Sequence, residues 1–166
     1  MIAVSNTTPL RYLIAIDQDQ LLAQLFEEVI VPLAVHEELT EARTPEKVRA
    51  RILSCPSWYK VQSIPETQKI EFPTLLHRGE REAILLAEAL RPDVILIDEQ
   101  IGRAIALGRN LPVSGTLGIL ERADKIGIAK NFPAILANLR ASGFYVSDSL
   151  EQNLLRRHHA RRSSKK

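Results

Sequence analysis

The residues of this sequence that could do chemistry are mostly carboxylates beside predicted strand ends and helix starts. They come in three pairs: Glu37 and Glu38, Glu80 and Glu82, Asp98 and Glu99. Acids that converge from separate elements repel each other unless a cation lies between them. Hard divalent ions prefer such oxygen ligands, and a bound ion can activate water and neutralise charge on a phosphodiester. The pairs therefore indicate metal-assisted hydrolysis, although each could equally be a solvated helix face or a partner of a helix dipole.

The sequence lacks the motifs of other common catalytic sites. It has no Gly-x-Ser-x-Gly elbow, Walker loop, Gly-x-Gly-x-x-Gly or His-Glu-x-x-His. Cys55 is the only cysteine, which excludes an intramolecular disulfide framework and a cysteine-based zinc site. The histidines lack ligand spacing, and we expect His158 and His159, in the C-terminal region, to be solvated.

The pair Asp98 and Glu99 follows the strongest strand pattern in the chain, the apolar run 94–97. Such a run is typical of a strand buried on both faces of a parallel sheet. Open α/β sheets bind their ligands at the carboxyl ends of the strands, which is where both acids would lie. Alternatively, Asp98 caps the following helix and Glu99 interacts with its dipole. Both interpretations stay open at this point.

Strands and helices alternate along the rest of the chain. Short apolar runs predict strands at 2–4, 29–31 and 112–114, and extended pieces at 58–64 and 144–146. The segment 65–76 is the least regular. A helix is predicted to begin at Pro9 with Thr8 as its cap, and another after Asp148 as the cap. This alternation favours an α/β fold in which a parallel sheet is covered by helices on both faces.

Length and composition are those of one globular domain. The chain has 166 residues, of which 45% are hydrophobic and 25% charged, enough to bury a sizeable core. No apolar run approaches the length of a membrane span, and Arg11 and Asp17 interrupt the stretch that could imitate a signal peptide. We therefore expect a cytoplasmic protein that does not bind membranes.

The net charge is unevenly distributed. Beyond Gln152 the chain carries six basic residues and no acid, which leaves −4 for the rest because the whole chain carries +2. The predicted organisation is a domain at 1–150 and a basic C-terminal helix or tail at 151–166. Its arginines Arg156, Arg157 and Arg161 could hold phosphates. A solubilising, partly disordered terminus is the alternative.

Five stretches resemble the PIN-domain superfamily, specifically its branch of predicted nucleic-acid-binding proteins. They are spread from about residue 3 to residue 150, and their order and spacing carry the resemblance. The stretches are Val4-Ser5-Asn6-Thr7-Thr8-Pro9-Leu10, Val31-Pro32-x-x-Val35-x-Glu37-Glu38-Leu39, Arg78-Gly79-Glu80-Arg81-Glu82-Ala83-Ile84, Leu96-Ile97-Asp98-Glu99-x-x-Gly102-Arg103 and Gly115-Thr116-Leu117-Gly118. The resemblance implies a three-layer α/β/α, Rossmann-like domain with a central parallel sheet.

The resemblance also implies an activity and a set of site residues. PIN domains are Mg²⁺- or Mn²⁺-dependent ribonucleases, often the toxin half of a prokaryotic toxin–antitoxin pair. The family's four acids fall on Asn6, on Glu38, on Glu82 with Glu80 beside it, and near Asp98 or Glu99; its late polar residue falls on Ser114 or Thr116. The expected catalytic residues are thus Asn6, Glu38, Glu82 and Asp98, and the expected metal ligands are Glu38, Glu82, Asp98 and Glu99. Contacts to nucleic acid are expected from Thr7, Thr116, Arg156, Arg157 and Arg161.

Asn6 separates the functional hypotheses, because an amide offers one neutral oxygen where the family has a charged carboxylate. The leading hypothesis is a nuclease acting on single-stranded RNA, with an antitoxin protein and a second copy of the chain as possible partners. The alternative is a non-catalytic module of the same fold that binds RNA or a protein. A phospho-acceptor receiver domain also gathers acids at strand ends, but its acceptor aspartate and late lysine are not evident.

Overall fold

The computed structural model, which describes residues 1–65 and 75–164, contains a central sheet of parallel strands. Within those ranges the strands are β1 (Ile2–Ser5), β2 (Glu28–Val31), β3 (Tyr59–Val61), β4 (Val94–Leu96) and β5 (Val113–Ser114). Their order is β3-β2-β1-β4-β5, and every neighbouring pair is parallel. The central position of β1 places its carboxyl end between those of β2 and β4.

Helices connect and cover the strands. In the described part of the chain they are α1 (Thr7–Ala15), α2 (Gln20–Leu25), α3 (Leu33–Thr40), α4 (Glu46–Leu53), α5 (Arg78–Leu90), α6 (Gln100–Gly108), α7 (Thr116–Lys125), α8 (Phe132–Ala141) and α9 (Asp148–Ser163). None of them is long and apolar enough to cross a membrane.

Alternating residues of the strands feed two separate cores. Ala3 and Leu96 face a core shared with α1 to α4 and α7 to α9, whereas Val4 and Ile95 face a core shared with α5 and α6. Because successive side chains of a strand point to opposite faces, each face receives its own apolar set. The structure therefore confirms the predicted three-layer α/β/α fold.

Several predicted element boundaries differ from the observed ones. Helix α1 begins at Thr7 with Asn6 in the N-cap position, two residues before Pro9. Helix α9 is capped by the Ser147 hydroxyl, which accepts from the Leu150 N–H, so Asp148 is its first residue and not its cap. The extended piece predicted at 58–64 contributes only the strand β3, and 144–146 forms no strand. Most of the segment predicted to be irregular, 66–74, lies outside the described residues.

Helix α9 crosses the predicted boundary at residue 150 and packs against α7 and α8. The prediction that His158 is solvated is wrong. Its side chain is only 8% exposed, and its Nδ1 lies 2.7 Å from an oxygen of Asp124. The imidazole also lies against the ring of Phe132. His159, the next residue, is exposed as predicted.

Candidate active site

A cavity of about 430 Å³ opens at the carboxyl edge of the sheet. It lies where β1, α3, α5 and α6 meet. The end of β1 lies beside the end of β4 there, since the backbone N–H of Asn6 donates to the carbonyl of Leu96. The side chains around it are polar and mostly charged: Asn6, Thr7, Thr8, Arg11, Glu38, Glu41, Arg43, Thr44, His77, Arg78, Glu80 and Glu99, together with Leu39. The cavity therefore combines an acidic floor with several arginines.

Asn6 and Glu99 are bonded to each other within this cavity. Asn6 is 2% exposed, and its Nδ2 donates to Oε2 of Glu99 at 2.7 Å. The hydroxyl of Thr8 donates to the other oxygen of Glu99. The remaining polar atom of Asn6, Oδ1, is buried and has no hydrogen-bond partner. A buried carbonyl oxygen left unpaired costs free energy, so Oδ1 is an available ligand for a cation or a donor.

Glu38 reaches the same cavity from α3. Its Oε2 accepts from the Thr7 hydroxyl at 2.5 Å. Gly79, in the first turn of α5, lies so close that a Cβ there would stand 2.7 Å from Oε1 of Glu38. Only glycine lets α5 begin this near to the carboxylate, which explains the Gly79 of the motif.

Glu80 is the third acid of the cavity and is 7% exposed. Burial raises the pKa of Glu80, and the negative charges of Glu99 and Glu38 raise it further, against lowering contributions from His77. Glu80 stands three residues after His77, the N-cap of α5, and so lies in the first turn of that helix.

Glu82, expected to be a catalytic residue and metal ligand, lies outside the residues that line the cavity. Its Oε2 accepts from the backbone N–H of Ala34 at 3.2 Å, and its Oε1 accepts from Nε of Arg78 at 2.9 Å. The same guanidinium donates to Glu37 at 3.0 Å. Glu82 therefore joins the starts of α3 and α5, and of the two acids Glu80 and Glu82 the structure brings only Glu80 to Glu38 and Glu99.

Asp98, the other expected catalytic acid, also lies outside the cavity lining and caps a helix. Its two oxygens accept from the backbone N–H of Thr116 at 2.8 Å and from the Thr116 hydroxyl at 2.6 Å. The capped helix is α7, whereas the sequence-based alternative had Asp98 capping α6; Glu99 holds the N-cap position of α6. Burial raises the pKa of Asp98, although the bonds from Thr116 oppose the shift. A Cβ on Gly115 would lie 2.6 Å from Asp98 Oδ1, so this cap is tightly packed.

The residues expected to contact nucleic acid are divided between the cavity and other places. Thr7 lines the cavity, but Thr116 is fully buried and held by Asp98. Arg157 donates to Glu121 at 2.5 Å, and Arg161 donates to Asp124 at 2.5 Å, so both arginines attach α9 to α7. Arg156 is exposed.

The donors of the cavity fit a hard divalent ion. Four carboxylates line it, and three of them, Glu38, Glu80 and Glu99, together with the buried and unpartnered Oδ1 of Asn6, are oxygen donors of the kind such an ion prefers. The fourth, Glu41, is paired with Arg43 at 2.6 Å. Within residues 1–65 and 75–164, however, no group of three or more His, Cys, Asp or Glu side chains is arranged so that it could hold a metal ion. Glu38 and Glu99 are instead bonded to Thr7, Thr8 and Asn6, which are contacts that an ion would have to replace or share.

Sequence reasoning gave little weight to several residues that the structure brings to the cavity. Thr8 was interpreted only as a helix cap, and the arginines Arg11, Arg43 and Arg78 received no role. The usable signal was the polar run that follows β1, because three successive polar residues at a parallel strand's end point into the ligand-binding edge. For Glu80, the signal was its place three residues after His77, the N-cap.

Comparison with known proteins agrees with the fold. Residues 2–160 match the model of the DUF3368 family, which is described as a PIN domain. Among solved structures, the chain is similar to a PilT N-terminus domain protein from the hyperthermophilic archaeon Sulfolobus solfataricus P2, with a TM-score of 0.54 and 12% sequence identity over 74% of this chain and 93% of that one. No protein with a curated functional description matches in sequence. The chain belongs to the DUF3368 family of PIN domains and has the nuclease-type fold of that superfamily.

Proposed function

We propose that this protein is a ribonuclease that depends on Mg²⁺ or Mn²⁺ and cuts single-stranded RNA at the cavity beside Asn6. The observation that carries the proposal is that Asn6, Glu38, Glu80 and Glu99 line one cavity, and that Oδ1 of Asn6 is buried without a hydrogen-bond partner. Glu38 lies in α3, Glu80 in α5 and Glu99 at the N-cap of α6, so the acids are brought to one cavity by the fold and not by one charged helix face. Family membership supports the same activity.

The residues that would hold the ion are Glu38, Glu80 and Glu99, with Asn6 Oδ1 as a neutral ligand. A divalent ion bound there would activate water and neutralise charge on the phosphodiester. This assignment replaces the expected ligands Glu82 and Asp98, because their carboxylates are bonded to Arg78 and Thr116 outside the cavity lining.

The other side chains of the cavity position these acids and face the substrate. Thr7 and Thr8 fix the carboxylates of Glu38 and Glu99 through their hydroxyls. Arg11, which has no ion-pair partner among the described residues, lines the rim where the RNA phosphates would lie.

A second candidate function is a non-catalytic module that binds RNA or a protein. It is favoured by the bond from Asn6 to Glu99, because an amide N–H occupies a carboxylate oxygen that a metal ion needs. This alternative predicts RNA binding that weakens steeply with salt, without cleavage under any divalent ion.

The deciding experiment is cleavage of a labelled single-stranded RNA by purified protein with Mg²⁺, Mn²⁺ or EDTA. The nuclease proposal expects cleavage that EDTA stops and that Glu99→Gln reduces by at least about 100-fold, the usual scale for loss of a catalytic group. Cleavage unaffected by Glu99→Gln would contradict the assignment. Binding without cleavage, in every ion, would establish the non-catalytic alternative.

We also propose that the protein is a cytoplasmic toxin that an antitoxin protein holds inactive, and that it forms a homodimer. If the protein is a toxin, its expression should arrest growth, and Glu99→Gln should abolish the arrest at equal protein levels. Growth arrest that persists in Glu99→Gln would contradict a toxic nuclease activity.

A further inference from the structure

A second cavity, of about 200 Å³, lies between the carboxyl ends of α7 and α9. The side chains and backbone around it belong to Asp124, Lys125, Gly127, His158, Arg161 and Arg162. Helix α7 begins at Thr116 beside Asp98 and rises 1.5 Å per residue, so Asp124 lies about 12 Å further along it. This cavity is therefore distinct from the candidate active site.

The base of the second cavity is a buried ion-pair network. The side chains of Asp124 and His158 are 3% and 8% exposed. One oxygen of Asp124 lies 2.7 Å from Nδ1 of His158, and the other accepts two bonds from the guanidinium of Arg161. Asp124 thus fixes the imidazole through Nδ1, while Nε2 has no hydrogen-bond partner in the described part of the chain.

The cavity carries surplus positive charge. Arg161 already matches the charge of Asp124, whereas Lys125 and Arg162 have no ion-pair partner among the described residues. Cations often serve the free carbonyls at a helix carboxyl end. Here the last carbonyls of α7 are bonded by backbone, since Gly127 N–H donates to Asp124 O at 3.0 Å and Ile128 N–H donates to Ala123 O at 2.9 Å. Lys125 is therefore not needed to cap α7.

We propose that this cavity binds a phosphate group, either as inorganic phosphate or as the terminal phosphate of a nucleic acid. Lys125 and Arg162 supply the positive charge at the rim. His158, oriented by Asp124, donates from Nε2 when both of its ring nitrogens carry protons. Arg161 holds the base of the site: its Nε and Nη2 donate to Asp124, and its Nη1 lies 3.6 Å from Glu121.

The test is a titration of the full-length protein with inorganic phosphate in EDTA, followed by NMR of the histidine side chains. The expected result is a saturable shift of the His158 resonances, with His159 as the neighbouring reference. Lys125→Gln combined with Arg162→Gln should weaken phosphate binding at least tenfold. Both positions are exposed, so the variant should fold, and circular dichroism checks this. Arg156→Gln, on the same helix but outside the cavity lining, is the matched control and should bind phosphate like the wild type.

Competition identifies the source of the phosphate. A short oligonucleotide with a 5′-phosphate that displaces inorganic phosphate, when the 5′-hydroxyl form does not, assigns the site to a nucleic-acid end. Displacement by neither form assigns it to free phosphate. The proposal is overturned if His158 shows no saturable shift, or if the double variant binds phosphate as tightly as the wild type. EDTA removes divalent ions, so these results do not depend on nuclease activity.

Discussion

Asn6 and Glu99 connect the segments that follow two neighbouring strands, β1 and β4, through a bond of 2.7 Å from the amide Nδ2 to the carboxylate Oε2. The bond leaves Oδ1 of Asn6 as a buried oxygen without a partner. Asn6 therefore holds one of the acids of the cavity in place. Replacing Asn6 by aspartate would therefore add a negative charge to the cavity and remove the donor that bonds Glu99.

Asn6→Asp should make the metal-free protein less stable and more responsive to metal. The change replaces a donor with a negative charge beside Glu99, and losing such a buried bond costs about 1–3 kcal/mol. Thermal unfolding in EDTA should show this loss, and Mn²⁺ should raise the midpoint of the variant more than that of the wild type. Equal responses of the two proteins to Mn²⁺ would contradict a cation site at Asn6.

Glu80→Gln should stabilise the metal-free protein at neutral pH. The pKa of Glu80 is raised in the folded state, so folding favours its protonated form. The unfolded state then binds fewer protons than the folded state, and the free energy of unfolding decreases as pH rises from the ordinary glutamate pKa, about 4.3, to the raised one. Above that range Glu80→Gln should unfold a few degrees higher than the wild type, and the gap should close at lower pH. Melting curves in EDTA across this pH range measure the difference, and a constant gap would contradict the assignment.

Gly79→Ala should impair the site without harming the fold. The new Cβ would stand 2.7 Å from Oε1 of Glu38, and the flexible carboxylate can move away. Alanine is favoured over glycine in a helix by about 0.5–1 kcal/mol, so the melting temperature should hold or rise. RNA cleavage and Mn²⁺ affinity should both fall. Gly108→Ala, in α6 with open space around the added Cβ, is the matched control and should retain activity. Unchanged cleavage by Gly79→Ala would show that cleavage does not depend on the position of the Glu38 carboxylate.

Asp98→Ala should lower the free energy of unfolding while leaving metal binding intact. Asp98 accepts hydrogen bonds from both polar groups of Thr116 at the start of α7, and leaving such buried groups without a partner costs about 1–3 kcal/mol. Chemical denaturation should show this loss, while Mn²⁺ affinity, measured below the unfolding range, should stay near that of the wild type. Loss of Mn²⁺ binding in a folded Asp98→Ala protein would show that Asp98 is a metal ligand after all.

The fold could be predicted from the sequence because apolar runs and prolines mark most of its strands and helix starts. The run 94–97 is buried on both faces, and β4 lies inside it. The piece expected to be extended at 144–146 does not join the sheet, because Val146 is buried by packing against the helical core and not by pairing with a strand. His158 was misjudged because its partner Asp124 lies 34 positions away, a contact that local charge patterning does not reveal.

The sequence predicts the region of the candidate site but not which acid of each neighbouring pair lies in it. Glu80 and Glu82 are two residues apart on α5, and two steps of about 100° turn their side chains to nearly opposite sides. Which of them faces the cavity depends on where the helix begins, and His77 as N-cap fixes that. Asp98 and Glu99 present the same problem at a strand end: Asp98 turns to Thr116, and Glu99 turns to Asn6 and Thr8.

The most direct test of the account is therefore calorimetric titration of Mn²⁺ into wild type, Glu80→Gln and Glu82→Gln, with RNA cleavage measured on the same samples. The two variants make the same chemical change two residues apart on one helix, and only Glu80 lines the cavity. We predict that Glu80→Gln loses Mn²⁺ binding and cleavage, whereas Glu82→Gln keeps both. Equal loss in the two variants, or loss in Glu82→Gln alone, would contradict the site described here.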